Sequence, residues 1–421
     1  MSKKIQAIRG MNDLLPADSQ IWSFLDSTIN NLLLSYGYKF CRTPNVESTE
    51  TFSRAIGEVT DIVEKEMYTW KDNNGDSLTL RPEGTAGVVR MMIEHNLPRE
   101  GIQKVFYSGP MFRHERPQKG RYRQFHQVGA EVFGASDAKI DAELISITDT
   151  LWKSLKINAQ LEINSLGSAA SRLLYRETLT RYFSDNKDIL DEDSSRRLKT
   201  NPLRILDSKN KDLEALISEA PKMIDHLDEE SNEHFEALKS YLDHLKIPYT
   251  INPKLVRGLD YYNQTVFEWL SEELGSQGTI CGGGRYDGLV EKMGGNKTPA
   301  IGFAMGLERI ALLIQDKSKE LISDRPHLYF LSIGESAHFE TMKISRQILE
   351  AMPNITITND ITMSNLKSQM KKANKSGADF AMILGEEELA KNVLSFKPLK
   401  GQGVQQSIEL EGIIQHLQEI L

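Results

Sequence analysis

Residues 104–134, KVFYSGPMFRHERPQKGRYRQFHQVGAEVFG, constrain the fold of this chain more than any other stretch. Alternation in the first half puts Phe106 and Phe112 on one face of a strand and Tyr107, Gly109 and Arg113 on the other. In the second half Val128, Ala130 and Val132 make an apolar face, opposite Phe125, Gln127, Gly129 and Glu131. The pattern predicts an antiparallel hairpin. Its polar face presents Arg113, Gln127 and Glu131 together, around a glycine that leaves room for something small. The connection HERPQKGR is longer than the two to five residues, roughly, that a hairpin needs. It carries Arg116, Lys119 and Arg121 against one acid, Glu115. Solvation alone explains any one of these residues but not the whole pattern.

At 421 residues the chain exceeds one ordinary core, and a domain size of about 150 residues predicts roughly three domains. A hydrophobic fraction of 39% and a mean hydropathy of -0.40 describe a soluble globular protein. No apolar run approaches the ~18 residues of a membrane span. The opening MSKKIQAIRG has lysines with no apolar segment behind them, so no secretory signal is expected. Cys41 and Cys281 are far apart and no CxxC pair exists, which argues against a zinc site or a disulfide framework and for the reducing cytoplasm. The net charge of -8 argues weakly against a nucleic-acid partner. Local charge matters more. Between residues 99 and 126, Arg99, Lys104, Arg113, Arg116, Lys119, Arg121 and Arg123 face only Glu100 and Glu115.

Taken in order, residues 16–36 read as a helix with Ile21, Leu25, Thr28, Ile29 and Leu32 on one face. The segment YGYKFCRTPNVEST reads as a strand broken at Pro44. Residues 78–85 run from a strand through a turn into a helix over 86–95, with Thr85 as its expected cap. A carboxylate and a hydroxyl there, Glu83 and Thr85, can hold an ammonium group or simply close the turn. From 171 to 248 charged helical segments dominate, and the acids Asp191, Glu192 and Asp193 read as a solvated helix face. Residues 255–263, LVRGLDYYN, put two tyrosines after an Arg-Gly turn, before the strand TVFEWL. In 278–288, GTICGGGRYDG, three successive glycines let backbone approach a ligand closely. In AIGFAMGLERIALLI, Arg309 falls in the first turn of an apolar helix, where the helix dipole disfavours a cation, so a phosphate or an aromatic base is the expected reason for it.

Residues 323–326 read as a linker. Beyond them strands and helices alternate: HLYFLSI, a helix with Ile344, Ile348 and Ala351 on one face, ITIT, a helix around Leu366, Met370 and Ala373, and DFAMIL. This βαβαβ order predicts a small, mainly parallel sheet. Lys367, Lys371 and Lys375 form a basic stripe opposite the apolar face of the second helix. GQGVQQ lacks the third glycine and the strand–turn–helix context of a dinucleotide fingerprint.

Phe112-Arg113-His114-Glu115 resembles motif 2 of the class II aminoacyl-tRNA synthetases, and the surrounding hairpin resembles the histidyl-tRNA synthetase version, of bacterial type. Residues 36–49 resemble motif 1, which forms the dimer interface in that class, and 300–309 resemble motif 3. LVRGLDYYN and GTICGGGRYDG resemble two signatures peculiar to histidyl-tRNA synthetases. The resemblance spans essentially the whole chain. It implies an α+β catalytic domain built on an antiparallel sheet (1–170 and 250–322), a helical insertion (171–249) and a C-terminal α/β anticodon-binding domain (326–421).

The resemblance also implies a reaction and a site. ATP and L-histidine form histidyl-adenylate, and the histidyl group passes to tRNA(His). Arg113 would grip the α-phosphate and the substrate carboxylate. Arg257 would stand in for a metal ion near the same groups. Glu83 and Thr85 would bind the amino group, with Gln127 and Tyr261 holding the backbone ends or completing the pocket. Glu131 and Tyr262 would meet the imidazole. Glu115 and Phe125 would take the adenine, with Arg309 over its other face, and Arg121 the outer phosphates. Arg116 and Gln118 would meet the tRNA acceptor end. Magnesium would accompany the nucleotide, with no metal held tightly by protein ligands. The implied partners are tRNA(His) and a second copy of the chain, in the cytoplasm, with neither membrane nor DNA. A second expectation, weighed beside it, is a catalytically inactive regulatory subunit of ATP phosphoribosyltransferase. Such relatives erode the ATP-binding arginines, whereas Arg113, Arg257 and Arg309 are present here.

Overall fold

The computed structural model describes residues 4–317 and 326–421, except 58, 59, 61, 207, 209, 258, 260 and 402 and the side chains of 276 and 277. The chain forms two compact units, Met1–Ile322 and Ser323–Leu421. Of the expected linker only Pro326 is among the described residues.

The strands of the first unit are β1 (Lys39–Phe40), β2 (Val46–Ser48), β3 (Tyr68–Lys71), β4 (Ser77–Leu80), β5 (Gln103–Phe112) and β6 (Gln124–Phe133). They continue with β7 (Gln160–Ser165), β8 (Tyr249–Ile251), β9 (Asn263–Leu270), β10 (Thr279–Arg285) and β11 (Ala300–Gly306). Eight of them make one sheet in the order β1-β5-β6-β11-β10-β9-β7-β8, and β2, β4 and β3 make a smaller one. The large sheet is antiparallel at its centre, while its outer pairs, β1 with β5 and β7 with β8, are parallel. Pro44 falls where the sequence breaks between β1 and β2, which join different sheets.

The alternation of the hairpin decides what covers each face. Phe106, Val128, Ala130 and Val132 point into a core with Phe267, Trp269, Ile301, Phe303 and Met305. Helices Ser19–Ser35, Ala138–Ser154, Glu229–His244 and Leu307–Ile314 close it with Leu25, Leu151, Leu238 and Ile310. In the first helix the buried ridge is Leu25, Ile29 and Leu33 at fourfold spacing, and Leu32 is only partly covered. On the other face Val105, Tyr107, Phe133 and Val266 pack against helices Thr49–Ile56 and Thr85–Glu94. Between 169 and 226 the helix Ala169–Asp185 and several short ones bury a small core of their own around Tyr175, Leu179, Phe183, Ile205 and Leu216. Asp191 caps one of these helices by accepting from the Ser194 N–H at 2.7 Å, which accounts for an acid there without chemistry.

The second unit holds β12 (Leu328–Ser332), β13 (Ile357–Asn359), β14 (Phe380–Leu384), β15 (Val393–Pro398) and β16 (Gln406–Glu409) in the order β13-β12-β14-β15-β16. The first three are parallel, as the βαβαβ pattern requires, and β15 and β16 add an antiparallel edge. Ile344 and Ile348 are buried, but Ala351, the last residue of its helix, is exposed. Lys367, Lys371 and Lys375 are all exposed on helix Leu366–Ser376, which turns Ala373 inward.

Candidate active site

The floor of the site is the face of the large sheet that carries Tyr107, Gln127 and Glu131. Glu131 pairs with Gly302 across β6 and β11. A methyl group at 302 would overlap the Glu131 carboxylate, one at Gly282 would meet the Arg257 guanidinium, and one at Gly129 would meet the Tyr107 ring. The glycines at the centre of this sheet thus let long polar side chains lie flat across it.

One end of the cleft is acidic and rimmed by tyrosines. Glu131 is buried and accepts from the Thr85 hydroxyl at 2.8 Å and the Tyr286 hydroxyl at 2.6 Å. Burial pushes its carboxyl up to about 8, against the opposing pull of the bonds from Tyr286 and Thr85. Glu83 is buried beside it, and burial raises this carboxyl too, although it accepts from the Thr85 and Ala86 N–H groups at 2.7 and 2.8 Å. Tyr261 and Tyr262 pack with ring centroids 4.6 Å apart, and Tyr261 lies 5.6 Å from Tyr286. Burial disfavours the charge on both carboxyls, a cost that a ligand bringing N–H donors or positive charge would relieve.

The other end is cationic. The Arg113 guanidinium lies over Phe125, 5.3 Å from the ring centroid, and its Nε donates to the Pro82 carbonyl at 2.8 Å. Arg257 donates to Glu268 at 2.7 Å and sits 5.7 Å from the Tyr262 ring. Arg309 donates to the carbonyls of Thr279 and Gly120. Burial, and then the nearby Arg121, lower its affinity for its proton, a cost that an anion would relieve. The Gln127 Oε1 and the Arg257 Nε are buried and make no hydrogen bond among the described residues. Buried polar atoms of this kind call for a partner, and both line the cleft.

Glu83, Thr85, Arg113, Glu115, Arg121, Phe125, Gln127, Glu131, Arg257, Tyr261, Tyr262 and Arg309 all line this one cleft. Arg116 and Gln118 do not line it: they sit exposed on the connecting loop, where Gln118 and Arg121 pair in a tight turn. Glu115 and Arg121 face each other at 3.5 Å.

Thr85 is not the helix cap. Its hydroxyl is committed to Glu131, and the Glu83 carboxylate takes the free N–H groups of that helix, which begins at Thr85 itself. Tyr286 and Glu268 join the site without a role that the sequence alone assigns them. A lone acid inside the apolar strand TVFEWL was a signal for Glu268, whereas Tyr286 meets Glu131 only through pairing of β10 with β11 and β11 with β6. Among the described residues no group of three or more His, Cys, Asp or Glu could hold a metal ion, and no helix is long and apolar enough to cross a membrane.

Residues 10–310 match the Histidyl-tRNA synthetase family and residues 328–420 the Anticodon binding domain family. The chain is 62% identical over 420 residues to the histidine–tRNA ligase of Ruthia magnifica subsp. Calyptogena magnifica, and 58% identical over 422 residues to that of Vesicomyosocius okutanii subsp. Calyptogena okutanii. In both comparisons 100% of each chain is covered. Among solved structures it is similar to the apo histidyl-tRNA synthetase of S. aureus, with a TM-score of 0.81 and 36% identity, covering 98% of this chain and 99% of that one. A cleft with buried carboxyls at one end and converging arginines at the other, on a fold shared along its whole length with these enzymes, leads to one assignment: this chain belongs to the histidyl-tRNA synthetase family.

Proposed function

We propose that this protein is a histidine–tRNA ligase, which joins L-histidine to tRNA(His) through histidyl-adenylate at the expense of ATP. The observation that carries this reading is the polarity of the cleft. Its acidic end, Glu131 with Glu83, suits a ligand rich in N–H donors, and its cationic end, with Arg113, Arg257 and Arg309, suits a nucleotide.

In the first step the histidine carboxylate attacks the α-phosphorus of ATP, and pyrophosphate leaves with the electrons of the broken P–O bond. The carboxylate is already a nucleophile, so no general base is required. Catalysis comes from alignment and from cations that face the charge building on phosphorus. Arg113 does this with a planar fork that matches both carboxylate and phosphate. Arg257, held by Glu268, serves the same region. Phe125 and Arg309 sandwich the adenine, Glu115 accepts from its amino group, and Arg121 leaves Glu115 to meet the outer phosphates. Magnesium enters as part of the nucleotide substrate, carried by the outer phosphates, in line with its preference for few protein oxygens.

Specificity follows from the acidic end. Glu131 accepts a ring N–H of the imidazole, Tyr262 meets the other ring nitrogen, and Gln127 and Tyr261 complete the pocket. Glu83 and Thr85 take the ammonium group. Each Glu83 oxygen already accepts one main-chain N–H and keeps lone-pair capacity for another donor. In the second step a terminal ribose hydroxyl of tRNA attacks the mixed anhydride and AMP departs. Arg116 and Gln118, exposed on the loop, meet the acceptor end; the helical insertion leans on the acceptor arm through its own small core within 169–226, since helix Glu229–His244 belongs to the core of the large sheet, and residues 326–421 bind the anticodon. The protein works in the cytoplasm as a dimer of identical chains.

Charging of tRNA(His) with labelled histidine and ATP tests the reading. The expected result is charging by the parent chain and a fall of at least about 100-fold in kcat/KM for Arg113→Ala. A folded parent chain that charges no tRNA would support the regulatory alternative instead.

A further inference from the structure

Among the described residues, Arg172 ties the helical segment that follows β7 to the main chain of a cleft residue. Arg172, half-buried in helix Ala169–Asp185, sends its Nη1 to the main-chain carbonyl of Tyr262 at 2.5 Å. Tyr262 stands just before β9, its ring packed 4.6 Å from that of Tyr261 and 5.7 Å from the Arg257 guanidinium. The neighbouring main chain is braced as well. The Leu166 N–H donates to the Gln264 carbonyl at 2.7 Å, and the Gln264 N–H donates to the Gly167 carbonyl at 3.0 Å. Gln264 holds φ of 48°, a left-handed conformation that a side chain adopts only at a cost and that surrounding contacts must enforce.

The helix that carries Arg172 is itself fixed at its start. The Ser168 hydroxyl accepts from the Ser171 N–H at 3.1 Å and donates to Asp228, and the Ser231 hydroxyl accepts from the Ser168 N–H at 3.0 Å. A methyl group at Gly167 would strike Met223 and Ser171, so the junction admits no slack there. Arg172 therefore projects from a rigid base.

We propose that Arg172 is a positioning residue for amino-acid activation. By holding the Tyr262 carbonyl from the helical segment, it sets where the Tyr261–Tyr262 pair stands over Glu131 and where Arg257 rests against Tyr262. The bond is charge-assisted, so it can fix a main chain that ladder hydrogen bonds do not yet hold. This inference rests on the reading that the cleft activates histidine. It makes the helical segment part of the amino-acid site and not only a surface for tRNA.

The test is ATP–pyrophosphate exchange without tRNA, with histidine and ATP varied separately, for the parent, Arg172→Met, Arg172→Lys and Arg176→Met. Arg176 lies one turn further along the same helix, facing the Thr200 carbonyl, and serves as the control for helix damage. For Arg172→Met the expected result is a histidine KM raised about tenfold, the usual order for losing a hydrogen bond to a charged donor. The ATP KM should stay within about twofold of the parent and the thermal midpoint should be close to it. Arg172→Lys, which keeps a charged donor, should recover part of the loss, and Arg176→Met should match the parent. If Arg172→Met does not fold, a raised histidine KM in Arg172→Lys reads the same effect. A parent-like histidine KM in folded Arg172→Met, or in Arg172→Lys where Arg172→Met does not fold, or equal rises for histidine and ATP, would overturn the proposal alone. No exchange with histidine by the parent chain would overturn the reading of the cleft and the proposal with it.

Discussion

The Tyr286 hydroxyl donates to the Glu131 carboxylate at 2.6 Å, joining two buried groups 155 positions apart in the chain. The bond crosses β11, whose Gly302 leaves the space the carboxylate needs. Glu131 is thus held at one oxygen by Tyr286 and at the other by Thr85, with its position set before any ligand arrives. A preset acceptor is what discrimination for an N–H-bearing ring requires.

Glu131→Gln keeps the volume and one acceptor oxygen but cannot satisfy both hydroxyl donors in the same way. The expected outcome is a kcat/KM for histidine lower by about 100-fold or more, because a site built around a hydrogen bond penalises its loss heavily. The thermal midpoint should remain near the parent value. Unchanged histidine affinity at comparable stability would refute the role given to Glu131.

The same carboxyl gives the protein a pH signature. In the unfolded chain an ordinary glutamate loses its proton near 4.5, whereas burial holds the folded Glu131 proton up to about 8. Between those values the folded state binds more protons than the unfolded one, so raising the pH through this window removes stability. Thermal unfolding of the unliganded parent should therefore show a midpoint that falls from pH 5 to 8. The slope should be shallower in Glu131→Gln. Identical slopes would mean that Glu131 is ionised throughout.

Gly302→Ala tests the floor of the site. The added methyl would overlap the Glu131 carboxylate, so either the carboxylate turns away or β11 shifts. Overpacking of this kind costs about 1–3 kcal/mol. Histidine activation should be lost even in preparations that remain folded at 25 °C, measured by circular dichroism alongside exchange. Retained activity would show that Glu131 is free to move.

Arg257→His separates binding from chemistry. Adenylate formation should fall by about 100-fold or more, while histidine binding by equilibrium dialysis changes little. Glu268→Gln, which keeps a hydrogen-bond acceptor for Arg257 and removes the charge, should lose less. Equal losses in binding and in rate for Arg257→His would argue against a role confined to the transition state.

Much of this architecture was legible in the residues. Period-two alternation in 104–134 placed Phe106 and Val128 in one core and Glu131 on the opposite face, because one face had to be buried. The parallel order of β12, β13 and β14 followed from strand–helix alternation. What escaped depends on groups brought together from afar. Thr85 looks like a cap because its neighbours in sequence are helical, yet a carboxylate two residues earlier takes that task and frees its hydroxyl for Glu131. Tyr286 reads as an ordinary aromatic until three strands align. Arg172, in a charged helical stretch, carries no local mark of its contact with Tyr262. The paired β15 and β16 likewise depended on a tertiary edge that no periodicity announced.

The most direct test of the central claim is ATP–pyrophosphate exchange with each of the twenty amino acids, without tRNA. Exchange driven by histidine alone is the predicted result, since Glu131, Tyr262 and Tyr286 define one pocket at the acidic end of the cleft. Exchange driven by a different amino acid, or by none in a folded preparation, would contradict it.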